Sequence, residues 1–268
     1  MQRRVARPPR QPRPRRRLAA EVNLARRATA EAIGTALLLA AIVGSGIMAE
    51  RLAGGNVAIA LLANAIATGG ALAAIILAFG PISGAHLNPA VTIADAWQRG
   101  VSWRDVPIYI GAQLGGAVAG VAAANVMLDL PPFFVSHHAR AGGAQFLSEF
   151  IATFGLLAVI WGCARARPTA TPFAVAAYIV GAYWFTSSTS FANPAVTIAR
   201  SLSDTFAGIR PIDVTPFIIA QLAGATAATA LFHWLSPASQ ATAQAVMLPH
   251  PSEATDVHDR RREFVGNT

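Results

Sequence analysis

A seven-residue segment that occurs twice constrains the fold of this chain more than any other feature. Asn-Pro-Ala-Val-Thr-Ile-Ala stands at residues 88–94 and again, unchanged, at residues 193–199, each time between long apolar segments. Identity over seven residues at a spacing of 105 positions indicates an internal duplication. We therefore expect the two copies to have the same structure and the same role.

Each copy has the pattern of a helix start. Asparagine is a favoured N-cap, and proline fits the first helical position, where its missing N–H is not needed. About ten residues separate each asparagine from the next break, which corresponds to roughly 15 Å of helix at 1.5 Å per residue. That length is about half of a ~30 Å hydrocarbon core. The sequence thus predicts two half-helices that meet by their N-termini near the midplane of a bilayer.

The composition is that of a membrane protein: 54% of the residues are hydrophobic, 13% are charged, and the mean hydropathy is +0.45. Six long apolar stretches, most of them near the ~20 residues of a spanning helix, predict an all-α membrane domain over residues 28–236. They cover residues 28–48, 57–79, 106–127, 146–163, 172–187 and 215–235. An Arg/Pro-rich segment, residues 1–27, and a polar segment, residues 237–268, are expected to be flexible cytoplasmic tails.

The distribution of arginine predicts the orientation. With six spans and an inner N-terminus, 17 of the 21 arginines fall on the cytoplasmic side, as the positive-inside rule requires. Both termini are then cytoplasmic, and the two halves, with three spans each, have opposite orientations. Inverted repeats of this kind place their site at the interface between the halves. The absence of lysine and the Ala-rich spans favour a bacterial protein, and hence a bacterial inner membrane.

These residues carry a family resemblance. The doubled motif, the run Ser-Gly-Ala-His-Leu-Asn-Pro-Ala-Val-Thr at residues 83–92, and Glu31 and Glu149 in matching spans resemble the major intrinsic proteins, that is, the aquaporins and aquaglyceroporins. The resemblance covers roughly residues 28–236. It implies a bundle of six transmembrane helices with two re-entrant half-helices, one pore per subunit, and a homotetramer in the lipid bilayer. It also implies a passive channel for small neutral solutes that needs no cofactor or metal and binds no nucleic acid.

The two motifs are predicted to form the centre of the pore, through Asn88, Pro89, Ala90, Asn193, Pro194 and Ala195. Each half-helix N-terminus contributes about +0.5 charge, so two of them repel cations without an ionised side chain, an effect described for aquaporin-type pores in general. The asparagine amides offer donors to a passing oxygen. Taken alone, each asparagine is equally well explained as a plain N-cap. No nucleophile triad, metal cluster or phosphate loop supports an enzyme.

The segment before each motif is predicted to be irregular, because non-helical backbone survives at membrane depth only where it is buried in protein or lines water. By resemblance, the pore is lined by the carbonyl groups of Gly84, Ala85, His86, Thr189, Ser190 and Phe191. Glu31 and Glu149 fit as supports of these loops, and because an ionised carboxylate is costly at membrane depth, each is expected to be paired, protonated or bonded to loop N–H groups. The alternative for the two glutamates is a proton relay in a coupled inverted-repeat transporter.

The chain departs from the family at the selectivity filter. Most members have arginine directly after the second Asn-Pro-Ala, and this chain has Val196. Spacing from the motifs assigns the other filter positions to Thr68, Gly181 and Ser190, which predicts a wide, uncharged filter. Two alternatives remain open: the Thr68 hydroxyl bonds the carbonyl four residues earlier, or the second loop is displaced and another group fills the gap.

Arg200, four residues beyond Val196 on the same helical face, is one candidate to restore a positive pore mouth about 6 Å farther out. A solvated arginine at the helix end is the alternative. A wide filter favours water and glycerol-like polyols. The chain also resembles a bacterial branch of the family, associated with arsenic resistance, in having an aliphatic residue at the filter arginine position. Neutral arsenic species are therefore added to the expected solutes. A water-selective aquaporin with a rearranged filter, and a scaffold protein with a blocked pore, are the other hypotheses.

Overall fold

The computed structural model describes residues 22–235, and within this range all regular structure is helical. A short 3-10 turn, Pro168–Ala170, precedes the sixth helix. The all-α architecture with two short helices among long ones confirms the predicted fold class. The helices are α1 (Leu24–Leu52), α2 (Val57–Ser83), α3 (Pro89–Trp97), α4 (Val106–Met127), α5 (Gly143–Ala166), α6 (Thr171–Phe185), α7 (Pro194–Arg200) and α8 (Pro211–Leu235).

The first helix begins earlier than the sequence predicts. Asn23 caps α1 by accepting a hydrogen bond from the backbone N–H of Arg26, so residues 24–27 are helical and not part of a tail. Arg27 then forms an ion pair with Asp105, with 2.8 Å between Nη2 and Oδ2. Apart from this overlap, the two predicted tails lie outside the described residues.

Five helices, α1, α2, α4, α5 and α8, are long and apolar enough to cross a membrane. The fifth predicted span, residues 172–187, corresponds to α6, which has 15 residues and is shorter than these. It ends at Phe185 because Thr186 takes an extended conformation, from which the chain continues as the irregular segment before α7. In the first half α2 continues past the end of the predicted apolar stretch at residue 79, through Pro81 to Ser83, so the irregular segment before α3 comprises residues 84–87.

Glycines bring the helices of each half into close contact. A side chain at Gly116 or Gly120 of α4 would collide with the carbonyl groups of Ala32 or Ala36 in α1, and Gly224 of α8 faces the Phe150 carbonyl of α5 in the same way. Small residues at helix interfaces are the usual means by which membrane bundles pack. The pairs α1–α4 and α5–α8 therefore occupy equivalent places in the two halves.

Replacing Gly116 with leucine is expected to destabilise the bundle, because the added side chain would have to displace the α1 backbone. Overpacking of this kind costs about 1–3 kcal/mol or more. At the neighbouring Gly115 an added Cβ would have no atom within 4 Å, so Gly115→Leu is the matched control. Thermal unfolding of both variants in the same detergent measures the difference, and equal midpoints would contradict the packing described.

Candidate functional site

The two half-helices α3 and α7 meet at their N-termini through their asparagines. Asn88 accepts a hydrogen bond from the Ala90 N–H, and Asn193 accepts hydrogen bonds at the equivalent place in α7. Each amide also donates across the junction: Asn88 Nδ2 to the Ala192 carbonyl and Asn193 Nδ2 to the Leu87 carbonyl, both at 2.8 Å. Since an amide nitrogen carries two hydrogens, each asparagine keeps a second donor for another partner.

A buried glutamate holds the segment before the first half-helix. Glu31 accepts hydrogen bonds from the backbone N–H groups of His86 and Leu87, at 2.9 and 2.7 Å, and from the Ser83 hydroxyl. Gln113 of α4 donates to the same carboxylate at 2.7 Å. Glu31 is fully buried, and these four donors offset the loss of its hydration.

Glu149 repeats this arrangement in the second half. It accepts hydrogen bonds from the N–H groups of Phe191 and Ala192, both at 2.9 Å, and from Gln221 of α8 at 2.6 Å. Several residues of the two irregular segments have positive φ angles, among them Ala85, Leu87, Thr189, Ser190 and Ala192. Such backbone costs about 1–3 kcal/mol per residue and persists only where its surroundings fix it. The carboxylates therefore fix the shape of both segments.

One continuous cavity contacts both asparagines and both irregular segments. On the side of the second repeat it is lined by a group that we call the filter end: Thr68, Tyr183, Ser190, Val196 and Arg200. Of the predicted carbonyl-bearing residues, Ala85, His86, Ser190 and Phe191 contact the cavity, whereas Gly84 and Thr189 are not in its lining. Within residues 22–235, no donor is bonded to the carbonyl groups of those four residues.

The structure brings three of the four predicted filter residues to this cavity. Thr68, Ser190 and Val196 line it, but Gly181 does not, and it is exposed on the surface of α6. Tyr183 lines the cavity instead, and its hydroxyl donates to Thr68 Oγ1 at 3.3 Å. Residues two apart on a helix point about 200° apart, so the assignment of Gly181 by spacing chose the wrong face. The correct face of α6 is the one that bears Val175, Ile179 and Tyr183. These residues are spaced four apart, and all three contact the cavity.

The filter end is neither free of aromatic groups nor uncharged, which corrects the prediction of a wide, uncharged filter. Arg200 is only 2% exposed and lines the cavity, so it is not a solvated residue at a helix end. Its guanidinium carbon lies 3.4 Å from the centroid of the Phe191 ring, and its Nε donates to the Ala207 carbonyl. The position directly after the second Asn-Pro-Ala is occupied by Val196, so this part of the lining is apolar.

A second buried arginine, which no sequence pattern marks, lies behind the filter end. Arg140, from the connection between α4 and α5, donates to the backbone carbonyl groups of Gly208, Ser188 and Phe206 at 2.7, 3.1 and 3.4 Å. Burial lowers its pKa to about 10, which leaves it charged at neutral pH. It therefore joins two segments of the second repeat that are distant in sequence.

At the opposite end of the cavity, His86 occupies the place that corresponds to Phe191. Its Nδ1 lies 3.1 Å from Thr92 Oγ1, and its Nε2 lies 3.6 Å from Asp95 Oδ2. Asp95 is only 2% exposed. The two ends of the cavity thus differ in charge, with a carboxylate near one and a guanidinium at the other.

Comparison with known proteins assigns the family. The family model described as "Major intrinsic protein" matches residues 19–189 and 166–266. The chain belongs to the major intrinsic protein family. Members of this family are passive membrane channels for small neutral solutes, and so is this protein. This confirms the predicted family and the prediction that the protein is a channel and not an enzyme.

Two relatives among the major intrinsic proteins match most of the chain. Aquaglyceroporin AqpS of Rhizobium meliloti (strain 1021) is 53% identical over 215 residues, which cover 80% of this chain and 92% of that relative. Probable aquaporin AqpM of Archaeoglobus fulgidus is 34% identical over 246 residues, covering 80% and 98%. The X-ray structure of the aquaglyceroporin from Plasmodium falciparum has a TM-score of 0.63 at 21% identity and covers 80% of this chain and 98% of that one. This likeness shows the shared fold.

Proposed function

We propose that this channel conducts water and larger uncharged solutes, namely glycerol-like polyols and neutral arsenic species such as arsenious acid. The observation that carries the proposal is that Val196, and not arginine, lines the cavity directly after the second Asn-Pro-Ala. Valine lacks the length and the five N–H donors of arginine, so this position neither fills the passage nor binds a solute strongly.

The proposed path runs between Asn88 and Asn193, past the carbonyl groups of the two irregular segments. The free amide hydrogen of each asparagine donates to the passing solute, and the unbonded carbonyl groups of Ala85, His86, Ser190 and Phe191 accept from its hydroxyls. The helix N-termini of α3 and α7 place positive charge at the junction, which excludes cations while neutral molecules pass. Glu31 and Glu149 support the path without lining it.

The assembly and orientation belong to the same proposal. The protein is a homotetramer with one pore per subunit, lies in a bacterial inner membrane, and has both termini in the cytoplasm. Arginine placement along the sequence supports this orientation. Under it, the filter end faces the outside and Asp95 faces the cytoplasm.

A water-selective pore is the second candidate, and the presence of Arg200 and Tyr183 at the filter end favours it. Stopped-flow light scattering on proteoliposomes separates the two. We expect glycerol and arsenious acid to enter several-fold faster than in protein-free liposomes, alongside faster water efflux under an impermeant osmolyte. Faster water movement with solute entry no faster than in protein-free liposomes would replace the proposal with the water-selective pore.

A further inference from the structure

The filter end of the cavity contains an arginine whose terminal nitrogens have no protein partner among the described residues. Arg200 Nε is bonded to the Ala207 carbonyl, and within residues 22–235 no acceptor is bonded to Nη1 or Nη2. The residue is nevertheless only 2% exposed, and it lines the cavity. Buried charged donors without partners are costly, so these nitrogens need an acceptor from the cavity itself.

No carboxylate of the described residues forms an ion pair that neutralises this charge. The ion pairs between residues 22 and 235 involve Arg27, Arg210 and two histidines, and none of them includes Arg140 or Arg200. The two guanidinium carbons lie 4.9 and 3.4 Å from the centroid of the same Phe191 ring. This part of the pore therefore carries positive charge that is stabilised by an aromatic face and by backbone carbonyl groups.

Of the two arginines, only Arg200 is placed to contact a solute. The guanidinium of Arg140 is bonded to three backbone carbonyl groups and is not part of the cavity lining. Arg200 contacts the Phe191 ring and donates from Nε to the Ala207 carbonyl, so its Nη groups remain available to bind a molecule in the cavity. Ser190 is a second polar group of the filter end without a partner in the described chain, since its buried hydroxyl oxygen forms no hydrogen bond there.

The repeat supports a specific role for this position. The two copies of the motif are identical through their seventh residue and differ at the eighth, which is Asp95 in the first copy and Arg200 in the second. Both side chains are 2% exposed. Packing alone would not explain why two buried residues of opposite charge stand at the eighth position of otherwise identical copies.

We propose that Arg200 is the specificity-determining arginine of this pore: it supplies, one helical turn beyond Val196, the cationic hydrogen-bond donors that position 196 lacks. A neutral solute passes the apolar surface of Val196 and binds Arg200 through a hydroxyl oxygen. This proposal rests on the proposed function, because it requires that polyols enter the pore. It predicts that the channel distinguishes solutes by the number of hydroxyls they present as well as by their size.

The test compares the entry of glycerol and of 1,2-propanediol, which lacks one hydroxyl, into proteoliposomes. Arg200→Met keeps an unbranched side chain but removes every donor. We expect it to lower the ratio of glycerol to propanediol permeability by about three- to tenfold, the range of the net contribution of one typical hydrogen bond. Once the entry into protein-free liposomes is subtracted, a smaller fraction of folded protein lowers both channel fluxes equally and leaves their ratio unchanged.

Arg200→Lys and Arg51→Met complete the test. Lysine keeps the charge and can donate a hydrogen bond but lacks the planar fork, so we expect the permeability ratio to fall partway. Arg51 is exposed at the end of α1 and does not line the cavity, so Arg51→Met should leave the ratio unchanged. Polyol entry faster than in protein-free liposomes in the wild type and in both Arg200 variants, with an unchanged ratio, would overturn this proposal alone. Absence of polyol flux in the wild type would overturn the proposed function.

Discussion

Val196→Arg is expected to reduce glycerol and arsenious acid entry by at least tenfold, with a smaller effect on water. The new side chain would extend into the cavity beside Asn193 and place a second guanidinium one turn from Arg200. Its volume narrows the passage and so raises the barrier to a solute larger than water, and about 1.4 kcal/mol is sufficient for a factor of ten. Stopped-flow light scattering at equal protein density measures the effect.

Val196→Ala is the matched control for this substitution. It shortens the side chain without adding charge or donors, so solute entry is expected to stay at or above the wild-type rate. If Val196→Arg conducted glycerol like the wild type, with the same protein content in the vesicles, position 196 would lie outside the narrow part of the path. The filter end would then not limit the entry of solutes.

Glu149→Ala is expected to abolish the channel. Three buried donors, the N–H groups of Phe191 and Ala192 and the Gln221 amide, would lose the carboxylate that accepts from them. Each unsatisfied buried donor costs about 1–3 kcal/mol, and the sum is comparable to the roughly 5–15 kcal/mol that stabilise a typical folded domain. The irregular segment, with its positive φ angles, would lose its support and the junction of α3 and α7 would come apart.

Thermal unfolding in detergent and solute entry in proteoliposomes both report this loss. Glu50→Ala removes the same side chain from an exposed position near the end of α1 and should change neither measurement. A Glu149→Ala protein that kept the wild-type melting temperature and solute flux would show that the loop is held by other contacts.

Local chemistry explains which parts of the structure can be predicted from the sequence. The doubled motif fixes a capping residue and a first-turn proline, so both half-helices are predicted to within a residue of their observed start. The family resemblance implies the supporting role of the glutamates of α1 and α5, and the cost of a buried carboxylate requires only that each be paired, protonated or hydrogen-bonded. Gln113 and Gln221, which complete their bonding, lie in equivalent helices of the two halves.

Three features could not be predicted because they depend on the rotation of a helix or on contacts between distant segments, and the spacing of residues gives neither. Counting back from Asn193 gives a position along α6 but not the rotation of the helix, which is why spacing selects Gly181 and misses Tyr183. Arg140 contacts carbonyl groups that lie 48, 66 and 68 residues later in the chain, and no local pattern marks these contacts. The charged residues at the start of α1 resemble a tail because the ion pair of Arg27 with Asp105 is visible only once the helices are assembled.

Cysteine accessibility tests the central claim most directly: solutes pass through the cavity between the two half-helices and past the filter end. The chain has a single cysteine, so Cys163→Ser provides a cysteine-free background for Ser190→Cys, inside the cavity, and Gly181→Cys, on the exposed face of α6. We predict that a small thiol reagent blocks glycerol entry through Ser190→Cys proteoliposomes and leaves Gly181→Cys unaffected. Block at Gly181→Cys, or unchanged flux after complete labelling at Ser190→Cys, would contradict the proposed path.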